Sequence, residues 1–103
     1  MVEVNYRVIW DQNAVNQLAE IYAFILENSY QNAQSVRQKI FGVTAGLTQD
    51  PRRYNADKLR LDHNPDFRAV EIYKYRITFY INEDEKTVNI LRVRSIRQDP
   101  LIY

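Results

Sequence analysis

From Phe67 to Pro100 the chain reads FRAVEIYKYRITFYINEDEKTVNILRVRSIRQDP, three β-type runs in succession with no helical pattern between them. Strands joined by so few residues pair as antiparallel neighbours, so this stretch commits the last third of the chain to one sheet. A two-residue turn at Lys74-Tyr75 sets Val70 and Ile72 opposite Phe79 and Ile77 on an apolar face. A three-residue connection, Asp84-Glu85-Lys86, adds Leu91 and Val93 to that face. Glu71, Arg76, Thr78, Tyr80, Arg92 and Arg94 then share the other. Slipping this pairing by one residue would bury both Arg92 and Arg94, which disfavours the alternative. The same register leaves Val88 and Ile90 on the polar face, too apolar to sit comfortably in water.

Ahead of the sheet, Tyr6-Arg7-Val8-Ile9-Trp10 is a short β-type run that stops at Asp11, a helix N-cap residue. Ala14, Val15, Leu18, Ile21, Tyr22, Ile25 and Leu26 recur at helical spacing, and Ala33, Val36, Ile40, Val43 and Leu47 follow after a break at Glu27 to Gln31. Asp50-Pro51 closes the second pattern, because the residue before proline is pushed out of the α region. The spacing therefore predicts helices over about Asp11–Asn28 and Asn32–Gln49, joined as an antiparallel hairpin. Gly42 and Gly46 lie four apart inside the second, and close approach of another backbone is the expected reason. Pro51 to Asp66 is polar, basic and without period, a connection long enough to be functional or mobile. The expected fold class is α+β in a single domain over 1–103. An N-terminal strand precedes a helical hairpin packed on one face of an antiparallel sheet.

Composition narrows the chemistry. The net charge of +1 hides an uneven distribution: Arg7 faces four acidic residues before position 37, and the remaining thirteen basic residues lie beyond it with nine acidic ones. A basic C-terminal part points to an anionic partner, nucleic acid or an acidic protein segment. With no cysteine there is neither a disulfide scaffold nor a thiolate metal site, and the single histidine, His63, sits in a loop whose Asp57, Asp62 and Asp66 lack ligand spacing. No metal and no cofactor is expected, since a phosphate-cradling glycine loop and a Ser/His/Asp arrangement are both missing. No run approaches the ~18 apolar residues of a membrane span and no apolar leader opens the chain, so a soluble cytoplasmic protein is expected. Arginine and tyrosine chemistry remains. Guanidiniums match phosphate or carboxylate oxygens bidentately, and a cation-rich surface could steady a phosphate in metal-free RNA cleavage. The candidate binding surface is the open sheet face with its end: Arg76, Tyr80, Val88, Ile90, Arg92, Arg94 and Arg97. The competing expectation is that residues 95–103 or the 51–66 loop fold over it.

Tyr75-Arg76-Ile77-Thr78-Phe79-Tyr80, then Ile90-Leu91-Arg92-Val93-Arg94, then Arg97-Gln98-Asp99-Pro100 closely resemble the RelE/ParE family, toxins of bacterial type II toxin–antitoxin (plasmid stabilisation) modules. In the RelE branch, ribosome-dependent mRNA endoribonucleases, the resemblance would make Arg68, Arg76, Arg97 and Tyr103 the catalytic set, and Ala56-Asp57-Lys58-Leu59-Arg60 resembles that branch's loop. The chain departs from this branch where Val70 or Glu71 replaces a second lysine and Ser95 replaces a histidine. The ParE branch resembles it more, through the long hairpin, Leu91-Arg92-Val93 and the Arg97-Gln98-Asp99-Pro100 tail. That likeness implies an inhibitor of DNA gyrase with no catalytic set. A cognate antitoxin would neutralise it by wrapping a C-terminal segment over the toxin and covering Val88 and Ile90, with homo- or hetero-oligomers compatible. The alternative is a RelE-like endoribonuclease whose partners are the ribosome and mRNA; a third is an inactive relative that only binds its antitoxin.

Overall fold

A computed structural model describes residues 5–97. In chain order the elements are β1 (Arg7–Trp10), α1 (Gln12–Leu26), α2 (Tyr30–Gly46), a 3-10 turn (Pro51–Arg53), β2 (Phe67–Ile72), β3 (Tyr75–Asn82) and β4 (Thr87–Ser95). The strands lie in the order β1-β4-β3-β2, with β1 parallel to β4 and the other two pairings antiparallel. The three consecutive strands thus pair as the short connections require. The N-terminal strand adds itself beside the last one and makes the sheet mixed.

The helices form where the apolar spacing puts them. Ser29 caps α2, its Oγ accepting from the Asn32 N–H at 3.1 Å, whereas Asp11 precedes α1 in an extended conformation with no side-chain cap bond. Ala14 and Leu18 of α1, Ile40 of α2 and Leu47 just after it pack on Ile77, Phe79, Ile81, Val88, Ile90 and Val93 of the sheet. This is the burial that stabilises both layers, since neither apolar surface has another partner. No described helix is long and apolar enough to cross a membrane. The expectation for the two glycines is corrected: a Cβ at Gly42 or Gly46 would meet nothing within 4 Å, so no backbone in the described chain approaches them closely.

Two details of register differ from the expectation. The β2–β3 turn is Tyr73-Lys74, so Val70 opposes Ile77 and Ile72 opposes Tyr75. The shift is an even number of residues and leaves each side chain on its expected face. Tyr73 takes the left-handed conformation the turn needs, at φ 55°. The second difference matters more. Asn82 opposes Thr87, so the β3–β4 connection is Glu83 to Lys86, and the register shifts again between Thr78, opposite Arg92, and Phe79, opposite Ile90. Leu91 is the extra residue of a β-bulge. Beyond it, Arg76 faces Arg94 and Ile77 faces Val93 as expected. Before it the alternation is reversed, and Val88 and Ile90 point at the helices with 0% exposure. Their expected place on the open face, and an antitoxin cover over them, are therefore corrected: an aspartate at Ile90 would bury an unpaired charge in the core.

The long connection lies along the outer edge of β2. The Asp57 N–H donates to the Phe67 carbonyl at 2.7 Å and the Ala69 N–H to that of Asn55 at 3.3 Å, with an antiparallel bridge between Ala56 and Arg68. Residues 55–57 so act as a short additional edge to the sheet.

Candidate functional site

Cross-strand pairing collects Arg76, Arg92, Arg94, Thr78 and Tyr80 on the face away from the helices. Arg94 sits directly opposite Arg76, and Arg92 opposite Thr78. Like charges opposite each other destabilise a sheet unless anions intervene. One arrives from the 51–66 connection. The Asp57 side chain, 0% exposed, places Oδ1 2.5 Å from Arg76 Nη2, and Arg76 itself is only 15% exposed. Glu71, its cross-strand neighbour on β2, adds a second contact at 3.4 Å from a half-exposed position. Asp57 also accepts from the Leu59 N–H at 3.1 Å, which sets the turn that delivers its carboxylate. Part of the connection therefore does fold over the face: Arg60 lies 3.6 Å above the Phe67 ring, and Phe67 packs on Tyr80 with centroids 4.7 Å apart.

The remaining expected site residues lie elsewhere. Arg68 alternates with Val70 and so projects to the helix side of β2. Its Nε donates to the Pro65 carbonyl at 2.7 Å, and Nη1 to the carbonyls of Tyr54 at 2.8 Å and Arg52 at 3.4 Å. It is a clamp on the connection. Arg97 follows β4, exposed, and lines a groove of about 640 Å³ with Ile21, Phe24 and Ile25 of α1, Lys74 of the β2–β3 turn and Tyr75 of β3. Tyr103 lies outside the described residues, as do Gln98, Asp99 and Pro100. His63 is exposed in the connection at φ 56°, where its N–H donates to the Arg60 carbonyl at 3.3 Å. Among the described residues no group of His, Cys, Asp or Glu could hold a metal.

Sequence reasoning missed two carboxylates. Asp57 lies in a basic, aperiodic segment, and only its spacing of two from Leu59 hints at an Asx-type turn. Glu83 sits in the β3–β4 connection and accepts from Tyr6 Oη at 2.6 Å, Arg52 Nε at 3.0 Å and Lys86 Nζ at 2.6 Å. These bonds, that from Lys86 foremost, hold its carboxyl at about 2. The bond from Tyr6 to Glu83 pushes the Tyr6 hydroxyl up. Arg52 continues the network to Asp66 at 2.9 Å. The carboxylate thus ties the entry to β1, the start of the connection and the β3–β4 loop into one knot.

Solved structures share this fold. The toxin–antitoxin structure described as the chromosomal ParDE system from P. aeruginosa matches with TM-score 0.65 at 20% identity over 87% of this chain and 95% of that one. The RelBE2 complex from Mycobacterium tuberculosis matches with TM-score 0.59 at 24% identity over 89% and 92%, and a free mutant of the E. coli toxin RelE with 0.61 at 14% over 88% and 83%. The fold is that of the RelE/ParE toxins. No curated protein sequence matches the chain. The sequence profile of the ParE toxin of type II toxin-antitoxin system, parDE, matches residues 8–100, and the chain belongs to that family.

Proposed function

We propose that this toxin arrests growth by binding DNA gyrase, with no catalysis of its own, and that a cognate antitoxin neutralises it. The observation that carries this reading is the employment of its arginines. Arg76 is held by Asp57 and Glu71, and Arg68 by three backbone carbonyls, so two of the cations that RNA cleavage would call on have structural work. A cleaving site also needs an acid–base group beside the scissile phosphate, and the only histidine, His63, is an exposed residue of the 51–66 connection. The binding surface in this reading is the half-buried outer part of the open face, Tyr80, Arg92 and Arg94, supported from beneath by Arg76 and extended by the exposed Arg97. The family profile and a ParDE neighbour support the branch.

Induced expression tests it. The expected result is a DNA-damage response in cells and inhibition of supercoiling by the purified protein, unchanged in His63→Ala and Tyr103→Phe. Translation arrest with mRNA cleavage in translating extracts, lost in Tyr103→Phe, would replace it by the ribosome-dependent endoribonuclease reading.

A further inference from the structure

We propose that Asp57 is a specificity-determining residue whose carboxylate occupies, from within the chain, the place at Arg76 that a phosphate would otherwise take. Arg76, Arg92 and Arg94 stand on adjacent positions of β3 and β4, a spacing suited to a polyanion. Asp57 meets the innermost of them with a fully buried side chain, and it is brought there by backbone pairing of 55–57 with β2 as well as by its own charge. A carboxylate and a phosphate compete for a guanidinium by the same bidentate hydrogen bonding. An ion pair buried this deeply opens only against the desolvation of both partners, so a solvated phosphate gains little by displacing it. With Asp57 in place, the innermost cation is already neutralised and the face does not enclose a nucleic-acid backbone. Without it, Arg76 keeps, among the described residues, the half-exposed Glu71 at 3.4 Å and becomes an under-compensated cation.

The inference concerns the same face as the functional reading but is tested on purified toxin with a single-stranded oligoribonucleotide, so failure of one leaves the other legible. Asp57→Asn is isosteric and keeps an oxygen for the Leu59 N–H. It is expected to tighten oligonucleotide binding about tenfold at low salt, the worth of one charged hydrogen-bonded contact, and to steepen the slope of log K against log salt by about 0.7. Asp57→Asn combined with Arg76→Gln should return both to the wild-type values. Unchanged binding in a folded Asp57→Asn overturns the proposal. Should that variant not fold, the wild-type protein decides: the Arg76 Nε–H resonance is expected to stay in place as the oligonucleotide is added, and its movement at saturation overturns the proposal.

Discussion

Glu83 receives hydrogen bonds from three side chains that belong to three different segments, and its carboxyl is held at about 2, below the ordinary 4.5. A carboxyl depressed in the folded state binds fewer protons there than in the unfolded chain. The stability it contributes is therefore fully present above about 4.5 and drains away as pH falls towards about 2. Glu83→Gln should lower the urea midpoint at neutral pH and flatten its acid dependence across that window, read by unfolding curves at successive pH values. Arg68 is the matching cation on the other side of the connection. Arg68→Met should destabilise the fold by about 1–2 kcal/mol through the stranded carbonyls, and should raise hydrogen exchange in residues 52–65 before it changes the sheet. Neither role was legible in the sequence. Charged residues in an aperiodic loop carry no phase, so nothing distinguishes Glu83 from its exposed neighbours Asp84 and Glu85, or Asp57 from Asp62. Arg76, Arg92 and Arg94 were legible as a group because they alternate on strands.

At the level of elements, the hairpin and three strands follow from apolar period, and the structure differs where period is interrupted. One extra residue in the β3–β4 loop and one at the Leu91 bulge offset each other, which is why the distal register came out right while the proximal half was inverted. The discomfort of Val88 and Ile90 on a polar face was the signal available in the sequence; a bulge is the device that reconciles two apolar phases in one strand. Period alone could not place β1 either, because a strand pairing with one far away in sequence leaves no local trace. The glycines of α2 show the converse case, a sequence feature without a packing role in the described chain. Gly42 is exposed, helical and has space for a methyl group. Gly42→Ala should stabilise the protein by about 1 kcal/mol and raise its Tm by about 4–8 °C in a thermal scan. Loss of antitoxin affinity in that variant would reveal a partner backbone against this face.

For the molecule as a whole, the helical layer and the sheet meet over one core, and the long connection seals the β2 edge. In the proposed reading, function uses what this frame leaves outside: the arginines past the bulge, the groove beneath Arg97 and the outer side of the hairpin. The sheet order also bears on how such a toxin comes into being. β4 lies between β1 and β3, and the helices rest on its apolar side chains. A nascent chain that has completed both helices and two of its later strands still lacks Val88, Ile90 and Val93 of the core and the neighbour for its first strand. Contacts between distant segments make folding slow, because chain closure must precede its reward. A chain cut before Thr87 lacks the strand that pairs with both β1 and β3, so such a fragment should fail to reach this fold, read by circular dichroism.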